Sequence, residues 1–172
     1  MKSIGNSTTA PRDLISEDDI KITLMALCES VGARLREQGC ICTTVTVEIR
    51  DNRLLSFERQ QKLPRPSNST MAIWETAVGL VMRSRSGAAP IRSLSVKATG
   101  LSPEDNMDQM SLFPDLQREQ RRKDIDRVMD QIRAKYGYFG IRRAVTLLDP
   151  ALDLDARGDH VIHPVGFLGM LS

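Results

Sequence analysis

Few side chains in this sequence are spaced for chemistry. Asp153-Leu154-Asp155 is the only tight acidic pair of the tail, and paired carboxylates hold divalent cations. Nothing nearby suggests a nucleotide pocket, so the expectation is a solvated pair. His160 and His163 stand three apart beside Asp159. A metal site needs more ligands in a fixed frame, so none is expected there. Cys40-Ile41-Cys42 is too short for a usual zinc pair, and no second pair follows. With Cys28 the cysteines number three, an odd count that argues against a disulfide framework. Buried reduced thiols are expected instead. No Gly-rich phosphate loop or Gly-x-Ser-x-Gly elbow occurs. No catalytic residue, metal ligand or cofactor is therefore assigned to this stretch.

The remaining chemistry is recognition. Gln109-Met110-Ser111-Leu112-Phe113 follows an acidic stretch and has no local core to enter. Leu112 and Phe113 suit a pocket on a partner, with the Gln109 amide fixing orientation by hydrogen bonds. The competing possibility is that both dock on their own domain.

The elements that position these groups follow from periodicity. Residues 3–9 suit an edge strand or a loop, and Pro11 marks a break. Ser16-Glu17-Asp18-Asp19 gives an N-cap with acids in the first turn. Ile20, Leu24, Leu27, Val31 and Leu35 then recur at helical spacing, and Gly39 supplies the stop, which predicts a helix over 17–38. From Thr43 to Arg50, Val45, Val47 and Ile49 alternate with Thr44, Thr46 and Glu48. That is a half-buried strand. Asp51-Asn52 turns the chain, Leu54 to Arg59 is the hairpin partner, and Pro64 and Pro66 close it off. Asn68, Ser69 and Thr70 can cap a second helix with Ile73, Ala77, Leu80 and Val81 as its stripe and Gly87 after its end. A last strand follows Pro90, with Leu94, Val96 and Ala98 opposite Ser93, Ser95, Lys97 and Thr99.

The order β-α-β-β-α-β predicts an α+β two-layer sandwich: a four-stranded antiparallel sheet with two helices on one face. The other sheet face is then free. Its expected residues are Thr, Ser and Lys, with Glu48 the exception, and small hydroxyls and amides there suit phosphate contacts. An ordinary solvated face is the plainer alternative. Three stretches are expected: a body over 1–101, a linker over 102–116 and a helical or irregular tail over 117–172. The tail helix, 117–135, has Ile125, Val128, Met129 and Ile132 as its only apolar stripe.

Composition sets the limits. The 172 residues are 41% hydrophobic, enough for a packed core. No apolar run approaches the roughly 18 residues of a membrane span, and Met1 to Asn6 lack the apolar stretch of a secretion signal. A cytoplasmic location is expected. Net charge is +2, with 14 Lys/Arg against 10 Asp/Glu in residues 1–103 and 10 against 12 in 104–172. A mildly basic body permits polyanion binding without requiring it.

Several segments resemble one family. Lys2-Ser3-Ile4-Gly5 resembles the entry to the little finger domain of Y-family DNA polymerases of the UmuC and DinB type (the ImpB/MucB/SamB family). Arg59-Gln60-Gln61-Lys62-Leu63 and Pro66-Ser67-Asn68-Ser69-Thr70 resemble the hairpin-to-helix passage of the UmuC-like members. Ile91-Arg92-Ser93-Leu94-Ser95-Val96-Lys97 resembles their last strand, and Tyr136 to Ala144 their tail. Gln109 to Phe113 resembles the peptide by which bacterial replication and repair proteins bind the sliding clamp. The resemblance covers about residues 2–148.

The resemblance implies a sheet laid into the major groove of primer–template duplex, held mostly through phosphates. By position it implies DNA contacts from Lys2, Ser3, Gly5 and Asn6 on the first strand and from Arg92, Ser93, Ser95 and Lys97 on the last. Clamp contacts would come from Gln109, Met110, Leu112 and Phe113. Asn6 stands where many relatives carry a basic residue, and Ser93 and Ser95 are uncharged, so the expected grip on DNA is weak. The palm acids that hold two Mg²⁺ ions for phosphoryl transfer are not in this sequence, nor is the Ser-x-Asp-Glu motif. The implied role is a non-catalytic, DNA- and clamp-binding part of an error-prone translesion polymerase acting in DNA repair under an SOS-type response. The palm and its Mg²⁺ would lie upstream of Met1 in a longer gene product. Two other readings compete. One is a stand-alone RNA- or protein-binding module of this topology, of which the RNA-binding form predicts exposed aromatics on the central strands. A small α+β enzyme predicts a convergent polar site.

Overall fold

The computed structural model describes residues 2–85, 89–104 and 115–155. The elements are β1 (Ser3–Leu14), α1 (Glu17–Glu37), β2 (Cys40–Asp51), β3 (Ser56–Ser67), α2 (Thr70–Ser84), β4 (Ile91–Thr99), β5 (Ser102–Pro103) and α3 (Asp115–Tyr136). Two 3₁₀ turns follow, at Tyr138–Gly140 and Ala144–Leu148. The main sheet is antiparallel with α1 and α2 packed on one face, as the periodicity predicts, and its strands run in the order β1-β4-β2-β3.

Local chemistry sets the boundaries. Ser16 accepts a hydrogen bond from the Asp19 amide at 3.0 Å, while the Asp19 carboxylate accepts from the Ser16 and Ile15 amides. This capping box fixes the start of α1. Gly39 ends it at φ +60°, a conformation costly for any side chain. Leu24, Leu27, Val31 and Leu35 of α1, with Ile73, Ala77 and Val81 of α2, bury against Val45, Val47, Leu94, Val96 and Ala98 of the sheet.

Four expectations give way. Pro11, Pro64 and Pro66 do not end strands; they lie within β1 and β3. Both are edge strands of the main sheet, and each proline falls where the pairing register shifts, so no ladder hydrogen bond is lost. Ser102 and Pro103, expected in a linker, pair with Ile41 and Cys40. The third concerns α3. Of its four apolar stripe residues Met129 alone is buried, while Ile125 and Val128 are about half exposed. The helix docks through a polar stripe instead: Lys123 and Asp126 are buried, and Glu119, Arg122, Asp130 and Arg133 are partly so.

The reason is the surface it meets, which is charged. Arg36 of α1 pairs with Asp130 at 2.6 Å and lies 3.4 Å from Asp126. Arg122 pairs with Glu75 of α2 at 2.5 Å. Glu29 of α1, only 3% exposed, accepts from Arg133 at 3.0 Å, Arg143 at 3.1 Å and the Tyr138 hydroxyl at 2.9 Å. Asp126 accepts from the Thr70 amide at 2.8 Å and from Arg143. It supplies the N-terminal cap of α2 that the flanking Ser69 hydroxyl does not make. Asp153, expected to be solvated, is 4% exposed and bonds Arg142 at 3.2 Å and Tyr138 at 3.3 Å. Burial and these carboxylates push the Tyr138 phenol far above its ordinary value.

Cys28 and Cys42 are free and buried, and Cys40 is free and partly exposed. Burial pushes the Cys42 thiol up to about 12, so it stays protonated and inert.

Candidate nucleic-acid interface

The sheet face opposite the helices is the candidate site. Alternation along each strand and the pairing register together arrange its side chains in four rows across the sheet. Ser3, Thr99, Thr44 and Lys62 form the first row, and Gly5, Lys97, Thr46 and Gln60 the second. Ser7, Ser95, Glu48 and Glu58 form the third, and Thr9, Ser93, Arg50 and Ser56 the fourth. The intervening residues, such as Ile4, Ala98 and Val45, face the core. Ser7, Ser95 and Glu48 of the third row and all of the fourth line a shallow hollow of about 460 Å³, together with Leu154.

The face is mostly hydroxyl, with few charges. Lys97 reaches Glu58 at 3.9 Å, and both side chains are about half exposed. Arg50, Lys62 and Glu48 form no ion pair among the described residues. Gly5 lies opposite Lys97, where an added Cβ would come within 3.3 Å of the lysine stem and 3.2 Å of the Val96 carbonyl oxygen. Such groups can approach phosphate oxygens without presenting a bulky obstacle. No aromatic ring stands in the four rows; Phe57 packs against the core side. The aromatic platform of an RNA-binding sheet is missing from this face.

The expected contact residues divide. Ser3, Gly5, Ser93, Ser95 and Lys97 share the outer face. Lys2 precedes β1 and is exposed. Asn6 faces the helix layer, where its amide donates to the Ser30 hydroxyl at 3.0 Å. Neighbours along a strand point to opposite faces, so Gly5 and Asn6 cannot both belong to the site. Arg92 sits where the β4 register shifts, donates to the Ala10 carbonyl at 3.2 Å and lies 3.8 Å from Asp13. It stands at the β1 edge rather than in the rows.

Sequence reasoning missed the β3 contribution, Ser56, Glu58, Gln60 and Lys62. The alternation is there, but Arg59 and Gln61 occupy the inner positions and hide it. Gln109, Met110, Leu112 and Phe113 lie outside the described residues, as do His160 and His163. The flanks of the peptide are fixed to the body. The Glu104 amide donates to the Gly39 carbonyl at 2.9 Å, and α3 begins at Asp115. Among the described residues no group of three or more His, Cys, Asp or Glu could hold a metal ion, and no helix is long and apolar enough to cross a membrane.

Residues 1–112 match the impB/mucB/samB family C-terminal domain. DNA polymerase IV of Acetivibrio thermocellus is 37% identical over 153 residues, which is 89% of this chain and 38% of that protein. The putative UV-damage repair protein UvrX of Bacillus subtilis is 33% identical over 91% of this chain and 37% of its own length. The chain thus spans well under half of each of these relatives. A solved structure, the post-insertion binary complex of Dbh DNA polymerase, aligns with a TM-score of 0.48 at 15% identity, over 59% of this chain and 29% of that one.

Proposed function

This chain belongs to the impB/mucB/samB family, whose C-terminal domain it matches, and on that footing we propose that it is the DNA- and sliding-clamp-binding part of an error-prone translesion DNA polymerase. The observation that carries the reading is the outer sheet face, four rows rich in hydroxyls, with three basic side chains against two acids, left uncovered by the helices. Ser3, Gly5, Ser93, Ser95 and Lys97 meet duplex phosphates, with Thr44, Arg50 and Lys62 extending the contact. Lys2 and Arg92 add charge at the margin. Such contacts are independent of sequence and weaken steeply with salt.

Gln109, Met110, Leu112 and Phe113 bind the sliding clamp. Two weak contacts joined in one chain raise each other's effective concentration, so the enzyme stays near a primer end without gripping DNA tightly. Phosphoryl transfer, with its Mg²⁺, belongs to a palm domain upstream of these residues, and the whole acts in cytoplasmic DNA repair and damage tolerance of the SOS type. This chain's own contribution is to hold and orient the duplex.

The test has two arms. Titration of a fluorescent duplex should show binding that weakens with salt and is lost in Lys97→Glu/Arg50→Glu. Calorimetric titration with a bacterial sliding clamp should show binding that Leu112→Ala/Phe113→Ala abolishes. A folded wild-type chain that binds neither partner contradicts the proposal.

A further inference from the structure

The outer face that the proposed function assigns to DNA carries two acids in one row, and their placement is informative. Glu48 and Glu58 are neighbours on β2 and β3, between the row of Lys97 and the row of Arg50. Lys97 lies on β4 and Glu58 on β3, with β2 between them, so the lysine extends across β2 to come within 3.9 Å of the carboxylate. The pair is about half exposed on both sides, open to water and to a competing anion. Glu48 is exposed and has no ion-pair partner among the described residues. The four rows therefore hold three cations, Lys62, Lys97 and Arg50, against two acids, Glu48 and Glu58.

We propose that Glu58, seconded by Glu48, limits the affinity of this face for DNA by occupying Lys97 and repelling phosphates from the third row. The inference rests on the DNA-binding reading of the face. A phosphate that reaches Lys97 must displace Glu58, and the freed carboxylate then stands beside the incoming charge. The contact is thereby kept weak and reversible, and occupancy of DNA is left to other attachments of the chain.

The experiment is anisotropy titration of a short fluorescein-labelled duplex with the intact chain over a range of salt. Glu58→Gln should tighten binding by roughly two- to fivefold, the scale of one exposed ion pair. The slope of log Kd against log salt should steepen by about 0.9, one added phosphate contact. Glu48→Gln should tighten binding by a smaller factor. In a Lys97→Gln background most of the Glu58→Gln gain should vanish. Melting curves should superimpose, because these side chains lie on the surface. A wild-type chain that binds and is weakened by Lys97→Glu, yet is unchanged by Glu58→Gln, overturns this inference alone. A gain that survives without Lys97 also overturns it. A wild-type chain that does not bind, and that Lys97→Glu leaves no different, removes the DNA-binding reading along with it.

Discussion

The outer sheet face and the α3 seam both carry basic and acidic side chains, with opposite results. In the seam, Arg36 and Asp126 have side chains 10% and 1% exposed, and the Arg36–Asp130, Arg122–Glu75, Arg133–Glu29 and Arg143–Glu29 pairs lie at 2.5–3.1 Å. On the outer face Lys97 and Glu58 are 46% and 55% exposed and 3.9 Å apart, and Arg50, Lys62 and Glu48 pair with nothing described. Desolvated charges must be paired to be tolerated, so the seam is fixed. Charges left in water keep their hydration and can exchange partners, so the face is available. The difference teaches that residue type does not identify a binding surface here; partnering does.

The largest effect should come from breaking the seam. Asp126→Ala removes the cap of α2 and leaves Arg36 and Arg143 short of a buried partner. It should cost about 3–5 kcal/mol of stability, read by urea denaturation, with α3 losing its fixed position. A change of a few tenths would mean that the seam is incidental. On the face, Lys97→Glu should leave the urea midpoint nearly unmoved and weaken duplex binding several-fold. In a Glu58→Gln background, where Lys97 is released, the same substitution should lower the salt slope by about one. The reverse pattern would erase the contrast between the two regions.

A smaller effect concerns acid. The Arg12 guanidinium, with the Ser16 and Ile15 amides, holds the Asp19 carboxyl well below the usual carboxylate range. A depressed folded-state pKa contributes stability that is present above the unfolded value and lost as pH falls below it. Asp19→Asn should therefore reduce stability near neutral pH and flatten its decline below about pH 4, the ordinary range of Asp. An unchanged acid limb would place the acid sensitivity elsewhere. The smallest effect is on thiol reactivity: Cys40 should be alkylated in the folded chain while Cys28 and Cys42 are protected until it unfolds.

Much of this was legible beforehand. The alternation in β2 and β4 reports a sheet with one wet face, because those strands pack against helices on a single side. α1 is legible from its capping box and its stripe. The prolines misled because edge strands tolerate them at register shifts, and edge position is a tertiary fact. The stripe of α3 misled because apolar periodicity assumes an apolar partner, and this helix meets Arg36, Glu29 and Glu75. Asp153 looked solvated because its partners, Arg142 and Tyr138, come from a turn whose docking the sequence does not announce. Gly5 and Asn6 could have been separated in advance by strand alternation alone.

The most direct test of the central claim is an NMR titration of the ¹⁵N-labelled chain with a short duplex at low salt. Shift changes should concentrate at Gly5, Arg50, Ser93, Ser95 and Lys97, with Asp126, Asp130 and Arg133 unmoved. Shifts concentrated along α3, with the outer face silent, would contradict it.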